Sequence, residues 1–390
     1  MMVKNRLNLK SILYIAIFVL LWVFNLFNGT SLGTTYHTNE LLRGISIIVL
    51  VALFFNNIKK DGIYVYTKNI TVFGGLFLLF FIVSLLNDKA KDTFNYLYVY
   101  LLIFLLSQMD IDEFTVKLTG VIYGVLGASI LYIFSFGSML NGWNENSIAM
   151  IGMHSFLVFL IPFYKTKKIG AKLLLVVATI AFAFLVSPTD SRSCILFGAI
   201  AVLLAISVLP KGIVIRNRLT LVIWLLGPLI IAIIVSIISG SDPAFLETLN
   251  DWSLRNFDKP VFNGRDELWI SGFDILFKNI WNFFFGTVNY SGNWHNVAIS
   301  CLVAFGSIGY LVWLYSLYYI LKKSFKFFGD YIVVGCVLSF VIITVQQSVE
   351  LGMFSSSPNL LPYVILGVLM GRIKKLKGEV IRSENYYTII

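Results

Sequence analysis

The sequence predicts an all-α polytopic membrane protein of about 12 transmembrane helices, with one long polar loop between helices nine and ten. Three observations carry this prediction. First, 58% of the 390 residues are apolar and only 13% charged, too little polar surface for a soluble protein of this size. Second, apolar segments long enough to cross a ~30 Å hydrocarbon core as helices recur along the whole chain. Third, lysine and arginine fall unevenly on the two sides that these segments define.

Hydropathy sets the spans at about 11–28, 41–57, 70–87, 93–109, 115–137, 147–164, 171–187, 193–209, 219–238, 297–321, 328–347 and 358–371. The first belongs to the repeating pattern and is too long for a cleaved signal peptide. The chain then divides into transmembrane residues 1–238, a loop 239–296, transmembrane residues 297–371 and a tail 372–390. Spans seven and eight are joined only by SPTDSRS, a tight hairpin in which Pro188 suits the turn.

An even number of spans puts both termini on one side. Of 30 basic residues, eight lie on the opposite side or its helix ends: Arg43, Lys89, Lys91, Arg192, Arg255, Lys259, Arg265 and Lys278. The other 22 share the side of the termini, so by the positive-inside rule both termini are cytoplasmic and 239–296 is outside. The net charge of +10 is therefore topological and gives no reason to expect nucleic acid as a partner.

Cys194, Cys301 and Cys336 form no CxxC pair and read as small core residues. His37, His154 and His295 are far apart and lack a metal-ligand spacing, so no metal or other cofactor is expected.

Outer-face residues are the candidates for function. Asn146, in NENSIAM before span six, reads as an N-cap, a substrate contact or both. Arg192, at the outer end of span eight, reads either as a side chain snorkelling or paired with Asp190, or as an anion site. In the long loop, DPAFLETLNDWSLRNFDKPVFN is mixed and turn-rich. From Arg265 the pattern changes: Leu268, Trp269, Gly272, Leu276, Ile280, Trp281 and Phe284 recur at helical spacing. This predicts one amphipathic interfacial helix running to Gly286, its aromatic side toward lipid or the bundle. His295 and Asn296 follow where the chain re-enters the membrane.

Taken in order, several of these pieces resemble the O-antigen polymerase/ligase family of bacterial membrane glycosyltransferases, the Wzy-type polymerases and their lipid-A-core ligase relatives. The pieces are Asn146-Ser147-Ile148-Ala149, Ser191-Arg192-Ser193, Gly264-Arg265 with Trp269, Gly286, His295-Asn296, and Gly306 with Gly309. The chain departs from the family where two close glycines are usual, having Gly286-Thr287-Val288.

The resemblance implies a GT-C-like membrane fold and a metal-independent, inverting transfer of a glycan between polyprenyl-diphosphate-linked oligosaccharides. It makes Arg192, Arg265 and His295 the candidate catalytic residues, His295 as base or as a diphosphate or sugar contact, and Asn146 and Asn296 candidate substrate contacts. Beside the resemblance, Glu350 reads as a base or sugar contact, and Trp269, Trp294 and Tyr290 as flat faces for sugars or as interfacial anchors. Two arginines would offset the charge of a departing diphosphate. An imidazole, which titrates near neutrality, could accept the acceptor hydroxyl's proton, and Glu350 is a second candidate base. Membrane lipids and a chain-length regulator complete the expected partners, in a bacterial cell membrane. Two alternatives remain open: a ligase passing finished glycan to another acceptor, and a flippase for the same lipids. A transporter should show internal repeats, and no six-plus-six symmetry is visible.

Overall fold

The computed structural model describes residues 9–28, 44–52, 55, 67–86, 90–109, 111–137, 144–164, 167–287, 294–354 and 359–387. Among these, every regular element is a helix. In chain order they are α1 (Leu9–Asn28), α2 (44–52), α3 (Thr67–Leu86), α4 (Ala90–Ser107), α5 (Glu113–Phe136) and α6 (Glu145–Leu160). Then follow α7 (Ile169–Val186), α8 (Arg192–Ala205), α9 (Gly212–Ile215), α10 (Arg218–Leu225), α11 (Gly227–Ser241) and α12 (Pro243–Phe257). The last five are α13 (Arg265–Phe277), α14 (Ile280–Phe285), α15 (Val297–Leu321), α16 (Tyr331–Gln346) and α17 (Leu361–Tyr387).

Five helical segments, Lys10–Phe27, Glu113–Phe136, Glu145–Phe163, Ile169–Thr189 and Val297–Phe327, are long and apolar enough to cross a membrane. A sixth is the pair α10–α11, bent by 55° at Leu226–Gly227. The shorter apolar helices include α8 and α16, which fall where spans were also expected. The described residues are thus all-helical, with several helices long and apolar enough to span a membrane.

The spans differ sharply in burial. For α7 only 17% of its apolar window is covered by protein, which leaves Leu173, Val177 and Ile180 to face lipid. For α15 the figure is 83%, so this helix, like the almost wholly buried α16, is a central post of the bundle. Without a hydrophobic drive between helices in lipid, close approach must come from small residues. A Cβ on Gly127 would stand 2.6 Å from the Ser155 Cβ, and one on Gly152 would stand 2.6 Å from Leu131, so α5 and α6 meet through glycine. Tyr123 donates to the Phe18 carbonyl at 2.7 Å and Trp22 to Ser155 Oγ at 2.8 Å, which fixes α1 against the same pair.

The α15 post is broken. Gly306 has φ 66° and ψ −174°, a conformation open to glycine alone, and it interrupts α15. The break releases the Val303 carbonyl, which accepts from Thr287 N–H at 2.9 Å. Gly286, φ 84°, ends α14 against the backbone of Ala304 and Phe305, while Gly306 lies against that of Phe284 and Phe285. The two glycines interlock, and a side chain on either would meet backbone.

Residues 239–296 correct two expectations. The stretch read as turn-rich is largely the helix α12: Pro243 opens it, and the Asp242 carboxylate accepts from Phe245 N–H at 3.0 Å. The single helix expected from Arg265 to Gly286 is two, because Asn279 leaves the helical conformation and caps α14 by accepting from Asn282 N–H at 2.7 Å. The apolar face expected toward lipid or the bundle divides between the two. Asp266, Trp269, Gly272 and Leu276 are buried, while Ile280 is 77% exposed. The segment expected as a tail after 371 continues α17 as helix to Tyr387.

Candidate active site

Three elements converge beside the bend between α10 and α11. Asn296, fully buried, holds them together. Its side-chain carbonyl caps α15 by accepting from Ala298 N–H (2.9 Å) and Ile299 N–H (3.1 Å). Its amide donates to the Pro228 carbonyl of α11 (2.9 Å) and to the Ser348 carbonyl after α16 (3.0 Å). All four bonds of this side chain are spent on structure, so Asn296 is a clamp and not the sugar contact expected from sequence.

His295, next to the clamp, has φ 46°. Among the described residues, five non-glycine residues have positive φ, and four of them (Asp190, Asp258, Asn263, His295) lie in the segments around this site. Such strain persists where surrounding contacts over-determine the backbone. It turns the imidazole toward Glu350, with Nδ1 buried and 3.8 Å from Glu350 Oε2. The other carboxylate oxygen, Oε1, accepts from Arg265 Nη2 at 2.9 Å. Glu350 is buried, whereas the Arg265 and His295 side chains keep 20% and 32% of their surface exposed. A buried carboxylate is therefore flanked by a guanidinium and an imidazole that both reach open space. The pairing with Arg265 answers the desolvation that an isolated buried charge would suffer.

Trp269 departs from its expected role. It is fully buried and donates from Nε1 to the Trp294 carbonyl at 2.8 Å, packing with Ala232, Val235, Ile299 and Val303. No face of this indole is left for a sugar; it sets the angle of α13 and with it the place of Arg265. Beside it, Asp266 accepts from Ser239 Oγ at 3.2 Å.

Arg192 stands at the start of α8, where the helix dipole adds positive character. Its Nη2 donates to the Pro260 carbonyl at 3.2 Å and its Nη1 lies 3.4 Å from Ser253 Oγ. Asp190, weighed from sequence as its partner, is held by Lys259 Nζ at 2.7 Å. These contacts strap the α7–α8 hairpin to α12 and to the segment leading into Arg265. The first turn of α8 also meets the end of α16, where Gln346 Nε2 lies 3.9 Å from Cys194 Sγ. Arg265, His295 and Glu350 are thus brought together, and Arg192 sits on the strap that joins α8 to α12 and Pro260.

Asn146 lies in the first turn of α6, half-buried; the cap is Asn144, whose side chain accepts from Ser147 N–H at 3.0 Å. Tyr290 falls outside the described residues.

A buried polar cluster under the site went unread in the sequence. His154 Nδ1 pairs with Asn359 Nδ2 at 2.9 Å, and Gln346 and Gln347 are both fully buried. The signal was present in QQSVE, two amides at the end of an otherwise apolar helix. No protein-family model, curated protein or solved structure matches the chain.

Proposed function

We propose that the chain is a membrane glycosyltransferase that polymerises polyprenyl-diphosphate-linked oligosaccharide repeat units at the outer face of a bacterial cell membrane, building a capsular, O-antigen or exopolysaccharide chain. The observation that carries this reading is the grouping of Arg265 and His295 around the buried Glu350 carboxylate. The reading takes the twelve sequence spans as crossing the membrane, both termini as cytoplasmic and residues 239–296 as external.

The acceptor hydroxyl oxygen attacks the anomeric carbon of the donor from the side opposite the diphosphate. A new C–O bond forms as the bond to the phosphate oxygen breaks, and the electron pair leaves on the lipid diphosphate. His295 accepts the hydroxyl proton on Nε2, because Nδ1 faces Glu350; the carboxylate stabilises the imidazolium that results. Arg265 uses one N–H group on Glu350, and a guanidinium has five, so it can serve the diphosphate as well. Arg192 offers a second guanidinium. Two such donors aimed at developing charge take the part that a divalent cation plays in many nucleotide-sugar enzymes.

Two measurements test the reading. In a strain deleted for this gene, single lipid-linked repeat units should accumulate; polymer held on the lipid carrier would instead mark a ligase. Arg192→Ala, Arg265→Ala and His295→Ala should each stop chain extension while the protein still inserts, and normal polymer length in all three would remove the assignment.

A further inference from the structure

Gln347 caps the C-terminus of α16, three residues before Glu350, and is fully buried. Its side-chain carbonyl accepts from two successive backbone N–H groups, Gly352 at 2.6 Å and Met353 at 2.8 Å. Its side-chain amide donates to Gln346 Oε1 at 2.6 Å, with Met150 Sδ at 3.8 Å. Its backbone carbonyl accepts from Val297 N–H at 2.9 Å, two residues beyond His295. A helix C-cap requires none of the side-chain bonds. Their effect is to tie the turn that carries Glu350 on both flanks, while the backbone bond ties that turn to the segment carrying His295.

We propose that Gln347 is a positioning residue that holds the Glu350 carboxylate between Arg265 and His295. The proposal rests on the glycosyltransferase reading for its consequence, and on geometry alone for the anchoring. Glu350 sits in a turn with no helix of its own to fix it, and its carboxylate must face two partners from different parts of the chain. An apolar residue at 347 would leave the Gly352 and Met353 N–H groups buried without acceptors, and the turn would shift to satisfy them. A shift of about 1 Å at a catalytic group can lower the rate about a hundredfold. A carboxylate at 347 would still accept both N–H groups, and rotation of the Gln346 amide would let that residue donate to it.

The test compares full-length Gln347→Leu, Gln347→Glu, Glu350→Gln and the Gln347→Leu/Glu350→Gln double variant. Each is reconstituted with the lipid-linked oligosaccharide pool extracted from the deletion strain. Gln347→Leu should lower kcat/KM for chain extension by about tenfold to a hundredfold, and Gln347→Glu should recover most of it. Because Gln347 acts through Glu350, adding Gln347→Leu to Glu350→Gln should lower the residual rate by no more than about twofold. Hydrogen exchange across 348–354 should lose protection at the Gly352 and Met353 amides in the Leu variant and keep it in the Glu variant. Wild-type extension by Gln347→Leu, or losses that multiply in the double variant, would overturn the proposal. If wild-type protein extends nothing, the glycosyltransferase reading fails separately and exchange decides the anchoring; unchanged protection in Gln347→Leu then overturns it.

Discussion

Arg265 Nη2 and Glu350 Oε1 meet at 2.9 Å across 85 positions of sequence, one from the start of a helix in the long polar segment, the other from the turn after α16. Neither residue is buried or oriented by its own neighbours alone. The pair makes α13 and the end of α16 into one unit and leaves His295 beside the same carboxylate.

Removing Arg265 should therefore act on stability as well as on catalysis. Arg265→Ala leaves the Glu350 charge buried and unpaired, a loss of about 3 kcal/mol when a buried pair is broken from one side. The Arg265→Ala/Glu350→Gln double variant should regain much of that stability without regaining activity. Thermal unfolding of detergent-purified protein, followed by size-exclusion fluorescence, reads the first effect. Chain-length analysis reads the second.

Asn296→Ala removes two capping bonds and two cross-links to other elements. The expected destabilisation is about 2 kcal/mol, from the lost cap and the orphaned carbonyls and N–H groups together. Asn296→Asp keeps the cap and loses the donations, so it should fall between wild type and Ala in the same melting assay.

Trp269→Phe keeps an aromatic ring in the cluster with Trp294 and deletes one hydrogen bond. It should lower stability by about 1 kcal/mol and leave the KM for the lipid-linked substrate unchanged. A large rise in KM with an unaltered melting temperature would return Trp269 to the role of a sugar platform.

Topology can be read by labelling. Cys194, Cys301 and Cys336 are buried and give a quiet background. Glu247 on α12 is exposed and suits a probe. Glu247→Cys should react with an impermeant thiol reagent in intact cells. Labelling only after membrane rupture would place α12 in the cytoplasm and reverse the orientation.

Much of the helical framework was legible because hydropathy is local. α1, α5, α7 and α15 begin and end within a few residues of the apolar runs that predict them. The site was legible in part. Arg265, His295 and Glu350 stand out as polar groups at the ends of apolar or amphipathic runs, and they do come together. Trp269 and Asn296 stood out for the same reason and proved to be internal fixtures, since residue type does not reveal which way a side chain points. Asn279 was passed over because the apolar period continues through it, while the helix does not.

By itself the sequence pointed to helices long and apolar enough to cross a membrane, because its apolar runs match the helical length of a hydrocarbon core and a helix satisfies its own peptide groups. Only the tertiary structure decided which helix-end residues share a site. Gln347 spends its side-chain carbonyl on the Gly352 and Met353 N–H groups, and Arg192 reaches Pro260 and Ser253 across the strap to α12. The reason is physical. Hydropathy and period act over one helix, whereas a buried charge must find its partner in three dimensions, wherever the packing of other helices has placed it.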